Sequence, residues 1–122
     1  RDKFYMTAVT KCFPGTDPKN SGDRVPTVAE RRLCRPWLDA ELALVQPEVI
    51  LALGRLAINL FYPAKMTLTE IVGDIREDEE GTIIVPLPHP SGASRWFNDP
   101  RNMARLDLAL YRLKQLKNQM DL

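Results

Sequence analysis

The side chains of this chain best suited to chemistry are a single histidine, His89, two cysteines, Cys12 and Cys34, and the polar groups in Pro88-His89-Pro90-Ser91-Gly92-Ala93-Ser94-Arg95-Trp96. A neutral imidazole on a rigid loop can donate a hydrogen bond to an oxygen where negative charge develops in a reaction. Pro88 and Pro90 restrict the backbone on both sides of His89 and supply that rigidity. Lone histidines more often sit in loops with one hydrogen bond and no task, and the clustering of Ser91, Ser94 and Arg95 around this one argues for function. One histidine cannot complete a serine-type triad or a multi-histidine metal site without another subunit.

The cysteines leave three readings open: one disulfide, two metal ligands or two unrelated thiols packed as small hydrophobes. In a reducing cytosol the disulfide is the least favoured. Two thiols cannot complete a metal cluster, so a metal would need ligands from outside these residues. Trp96-Phe97 reads either as a core pair or as an exposed aromatic beside Arg95 able to stack on a base. The Arg101, Arg105 and Arg112 stripe reads as a solvated helix face.

These residues need elements to position them. Thr82–Leu87 is a β-branched apolar run that delivers the histidine loop from the end of a strand, the place where open α/β sheets present chemistry. It is expected to form a hairpin with Asp74–Glu77 around Asp78-Glu79-Glu80-Gly81. Phe4–Val9 reads as a buried strand and Lys11–Pro26 as a long exposed loop. Thr27-Val28-Ala29-Glu30 is a capping box opening a helix to about Gln46, with Leu33, Trp37, Ala40 and Leu44 as its buried stripe. Pro36 predicts a kink or restart beside Cys34 that aims the thiol at the loop bearing Cys12. Val49–Leu53 reads as a strand buried on both faces, followed by a tight turn at Gly54 and a helical segment to about Tyr62. A short helical turn at Thr67–Val72 and a last helix opened by Asp99-Pro100 complete the order. In that last helix Met103, Leu106, Leu110 and Leu113 form the apolar face.

With 122 residues and 44% hydrophobic side chains, the chain has material for one core. A net charge of +1 supplies no general field for nucleic acid, so any contact with DNA must come from a local patch. No apolar run approaches the roughly 20 residues that span a bilayer, and the expectation is a soluble intracellular protein without membrane partners.

Four blocks then occur in a familiar order: Tyr5-Met6-Thr7-Ala8-Val9-Thr10-Lys11-Cys12; Pro26-Thr27-Val28-Ala29-Glu30 leading to Cys34-Arg35-Pro36-Trp37-Leu38; Pro47 to Ala57; and His89-Pro90-Ser91. Together they resemble the uracil-DNA glycosylases, most closely the microbial iron–sulfur members of that superfamily. The resemblance implies an α/β fold, a central parallel sheet flanked by helices in three layers. Residues 1–122 would then be a single partial domain, the carboxyl-terminal two-thirds of the family's fold and incomplete at the N-terminus. Upstream the family carries two more cluster cysteines and a Gly-x-x-Pro-Gly loop that positions the hydrolytic water.

Carried over residue by residue, Cys12 and Cys34 match two of the four ligands of a [4Fe–4S] cluster, and His89 matches the catalytic histidine that faces uracil. Pro90, Ser91 and Gly92 fall where the family approaches the DNA backbone, and Ser94, Arg95 and Trp96 in the segment that enters the minor groove. Ala8 stands where many iron–sulfur members place an asparagine that reads the uracil edge. The implied function is a DNA repair glycosylase that flips and excises uracil from single- or double-stranded DNA, as a cytoplasmic prokaryotic monomer. Two other readings stay open: a non-catalytic uracil- or DNA-binding module of this fold, and an α/β enzyme gripping a small phosphorylated metabolite through Ser91 and Arg95.

Overall fold

The computed structural model describes residues 3–91 and 95–121. The chain divides into two compact units, Arg1–Gln46 and Pro47–Leu122.

The first unit is a long loop on one helix. Helix α1 spans Val28–Val45 and opens at the expected capping box: the Thr27 hydroxyl accepts from the Glu30 amide while the Glu30 carboxylate accepts from the Thr27 amide. It ends at Gln46, in the left-handed region at φ 47°. The expected restart at Pro36 does not occur: a proline costs one rung, and the turns on both sides carry the helix through. The buried face also differs from expectation. Leu33, Trp37, Ala40 and Leu44 are exposed, and Cys34 and Leu38 are buried instead. A one-residue shift turns a helix by about 100°, and what settles the face is the segment laid against it.

That segment corrects a second expectation. Residues 4–9 form no strand; Phe4, Tyr5 and Met6 are exposed, Met6 at 94%. A strand needs a ladder partner for its amides and carbonyls, and no described residue supplies one here. The segment is tied down by side chains: Tyr5 donates to Glu41, and Lys11 Nζ pairs with Glu41 and donates to the Thr7 hydroxyl and the Ala8 carbonyl. The following loop turns back on itself at the Thr16–Asp23 bridge.

The second unit holds the sheet. Strands β1 (Val49–Leu53), β2 (Arg76–Glu77) and β3 (Ile83–Leu87) lie in the order β1-β3-β2, with β1 parallel and β2 antiparallel to β3. Its helices are α2 (Arg55–Ile58), α3 (Leu68–Ile71) and α4 (Pro100–Gln119), with a 3-10 turn at Arg95–Asn98. Alternation along the strands divides the apolar residues between two clusters. Ile50, Ala52 and Ile84 meet Ile58, Tyr62 and Ile71, whereas Val49, Val85 and Leu87 meet Val72 and the Ala109 face of α4. The α/β reading and the β2–β3 hairpin hold. Burial of β1 on both faces does not, since Leu51 and Leu53 remain 40% and 49% exposed.

Pro86 is tolerated inside β3 for a local reason. Ile83 donates to Glu48 and Leu87 accepts from Gly54, so the odd residues of β3 face β1. Pro86 faces the other way, beyond Ile84 where β2 stops pairing, and leaves no rung missing. On α4 the buried positions are Asn102 and Ala109 with Leu106 and Leu113 half-buried, while Met103 and Leu110 are exposed. Nor are Arg105 and Arg112 idle surface charges. They donate to the Val72 and Gly73 carbonyls just past α3, where a helix end leaves acceptors without partners.

Candidate active-site loop and paired thiols

The parallel pair β1–β3 brings two strand ends together beneath His89. Gly54 donates to the Leu87 carbonyl at 2.9 Å and turns at φ +82°, a conformation that suits glycine. A β-carbon built on Gly54 would stand 3.4 Å from His89 Cβ and 3.5 Å from Cδ2. Gly54 is therefore the floor under the histidine as well as the expected tight turn. The sequence signal that could have shown this is the parallel pairing itself, which sets the residue after β1 beside the residues after β3.

His89 and Pro90 are exposed above a buried Pro88. The Ser91 amide donates to His89 Nδ1 at 3.2 Å. An imidazole nitrogen that accepts a hydrogen bond carries no proton, so the neutral tautomer that fits this bond has its N–H at Nε2. The same bond commits the Ser91 amide to the ring. Gly92 and Ser94 lie outside the described residues.

At the far end of the loop Arg95 is exposed and begins the 3-10 turn, whereas Trp96 is half-buried. The Trp96 indole donates to the Thr69 hydroxyl at 3.2 Å and packs against the cluster that contains Val85 and Leu87. Phe97 meets it edge-on, with ring centroids 5.5 Å apart. Of the two aromatic readings, the core pair describes Trp96 better.

The thiols belong to the first unit. Cys34 is buried and Cys12 exposed, and both line one cleft of about 120 Å³ with Thr10, Glu30 and Leu33. The Lys11 amide donates to Cys34 Sγ at 3.3 Å. Cys34 thus faces the loop bearing Cys12, as expected, although α1 is unbroken. At the rim, a bond from the Arg24 guanidinium, helped by the Thr27 hydroxyl, holds the Glu30 carboxyl down to about 2. Its charge is balanced by that arginine rather than offered to the cleft. Among the described residues no group of three or more histidine, cysteine or acidic side chains is placed to hold a metal. An amide N–H on one sulfur and a second thiol on the same cleft fit two corners of a four-thiolate site. Ala8 is exposed in this unit, its carbonyl 2.8 Å from Lys11 Nζ.

No helix among the described residues is long and apolar enough to cross a membrane. The family model of the uracil DNA glycosylase superfamily matches residues 1–114. A Type-4 uracil-DNA glycosylase of Thermotoga maritima is 34% identical over 75% of this chain and 45% of its own length. One from Sulfurisphaera tokodaii is 31% identical over 76% of the chain and 43% of its length, and one from Archaeoglobus fulgidus 33% over 75% and 46%. The chain thus spans about half the length of the curated relatives it matches. A match over nearly all of the chain, together with a histidine presented from the end of a parallel strand, leaves no room for an unrelated α/β enzyme of phosphorylated metabolites: the chain belongs to the uracil DNA glycosylase superfamily.

Proposed function

We propose that the chain carries the histidine-bearing part of a DNA glycosylase that hydrolyses the N-glycosidic bond of uracil in DNA. Both compact units are read as parts of one catalytic domain, acting in the cytoplasm as a monomer on single- or double-stranded DNA. A base within a duplex hides its glycosidic carbon, so the nucleotide must first be extruded, at a cost of a few kcal/mol. As the bond to the base lengthens, negative charge gathers on the uracil O2. The observation that carries the reading is the Ser91 amide on His89 Nδ1, which leaves Nε2–H as the ring's donor for that oxygen. The proline-flanked backbone and the Gly54 floor fix the ring before substrate arrives, so little reorganisation is needed as the charge develops.

Ser91 through its hydroxyl, with Pro90 and Gly92, would line the path of the DNA backbone, and Ser94 and Arg95 would enter the groove. Ala8 offers no side-chain amide to the uracil edge, and deaminated bases besides uracil are expected to be accepted. Cys12 and Cys34 would hold two corners of a [4Fe–4S] cluster, supported by their shared cleft and the Lys11 amide on sulfur. Such a cluster would supply a structural tie between loop and helix; hydrolysis asks no electron of it.

The test is uracil release by the intact protein from single-stranded DNA, read as strand cleavage after alkali. Wild type is expected to cleave, and His89→Ala to slow single-turnover release by about 10²–10³-fold with DNA binding retained. Binding without cleavage by the wild type would make the protein a non-catalytic module. Turnover unchanged in His89→Ala would remove the histidine from the mechanism.

A further inference from the structure

The loop from Pro88 to Arg95 is fastened at both ends, by two different means. At the histidine end the fastening is backbone: β3, the Gly54 amide on Leu87 and the Ser91 amide on the ring. At the arginine end it is a closed set of side-chain bonds around Asn102, the one buried polar residue among those described, at 6% exposure. The Asn102 amide donates to the Trp96 carbonyl at 2.8 Å, and its oxygen accepts from the Thr69 hydroxyl at 2.7 Å. The Thr69 hydroxyl in turn accepts from the Trp96 indole at 3.2 Å. Thr69 thus donates once and accepts once, and Asn102 uses both ends of its amide. The ring joins α3, the start of α4 and the 3-10 turn that presents Arg95.

A buried amide is costly unless bonded, and an apolar pair could fill the same space without that demand. What an apolar pair cannot do is select one orientation of the indole and of the backbone beside it. Each bond in the ring is directional, and losing one leaves the others without partners. Because Trp96 follows Arg95 directly, fixing the Trp96 carbonyl and indole fixes the direction in which Arg95 leaves the fold.

We propose that Thr69 and Asn102 are positioning residues for DNA engagement, setting Arg95 and the arginine end of the loop in their binding geometry through the ring they close with Trp96. The assignment rests on the glycosylase reading above and deepens it. Neither residue touches the base; they act through Trp96 and Arg95. The proposal therefore assigns them to capture of DNA, and His89 to the chemical step.

The experiment uses the intact protein with Trp37, and any tryptophan outside these 122 residues, replaced by Phe, so that Trp96 alone emits and reports the indole's surroundings. Thr69→Val keeps the shape of the side chain and removes the hydroxyl; Asn102→Leu removes the amide; Thr69→Ser restores the hydroxyl. Thr69→Val and Asn102→Leu are expected to raise KM for uracil-containing duplex DNA about fivefold to tenfold, the worth of about one hydrogen bond. kcat should stay within about threefold, since the His89 end is untouched. Emission should shift to the red in Thr69→Val, and Thr69→Ser should recover both KM and emission. Should Asn102→Leu not fold, the valine and serine variants carry the test. Wild-type KM in Thr69→Val, or a loss confined to kcat or to the active fraction, overturns the assignment while the glycosylase reading stands. A wild type that neither binds nor cleaves uracil-containing DNA overturns both.

Discussion

The two compact units are held by different physics. Pro47–Leu122 is organised by burial: Ile58, Ile71, Val72 and Val85 are fully enclosed, on the two faces of one small sheet. Arg1–Gln46 buries only Cys34 and Leu38 among its hydrophobic side chains, while Phe13, Leu33, Trp37 and Leu44 stand exposed. In place of a core it has straps: Glu41 gathers Tyr5 and Lys11, and Glu30 gathers Arg24 and Thr27. Units of this size seldom stand on apolar burial alone and commonly use a metal or disulfide staple. The unit that lacks a core is the one that carries the paired thiols, which is where a structural cluster would contribute most.

The contrast can be broken by substitution. Ile84→Ala, at a buried position of β3, is expected to cost the second unit about 2–5 kcal/mol in chemical denaturation. Leu33→Ala on exposed α1 should change stability by no more than about 0.5 kcal/mol. Equal losses would show that the first unit has an apolar core after all. A smaller effect is expected at the α1 cap, where Thr27→Ala removes the hydroxyl that accepts the Glu30 amide and should cost about 1 kcal/mol. A loss well below that would mean that Arg24 and Glu30 hold the helix start without the cap.

Acid sharpens the comparison most gently. Glu41 is held down to about 2, chiefly by its hydrogen bond with Lys11, and Glu30 to about 2, chiefly by Arg24, against an ordinary value of 4.5 for both. Both carboxyls therefore bind protons more weakly folded than unfolded. Their contribution is full above about pH 4.5 and is lost as pH falls toward about 2. Exposure to solvent keeps that contribution small. Amide exchange followed across this range should rise first in residues 3–46 and later in the sheet; simultaneous loss would contradict the strap description.

Where the sequence proved a good guide, the signal was local. Thr27 with Glu30, Asp99 before Pro100, and glycine at 54 each act within one turn of chain, and each is found as expected. The apolar runs at 49–53 and 83–87 are strands because their β-branched residues suit a pleated surface wherever a partner exists. Phe4–Val9 has similar composition and is no strand, because no partner lies beside it among the described residues. Helix faces failed for a related reason. The Leu33–Trp37 and Cys34–Leu38 stripes lie side by side on α1, and periodicity alone cannot choose between them.

The histidine loop itself shows the same division. His89, its flanking prolines and its order after the Cys12 and Cys34 blocks are properties of the sequence, and they sufficed to place the chain in its family and to single out the imidazole. That Gly54 is its floor and that Trp96 turns inward to Thr69 and Asn102 were decided only by tertiary structure. Each depends on a contact between groups brought together by strand pairing or helix packing, and a hydrogen bond between residues 27 or 33 positions apart leaves no periodic trace in the chain.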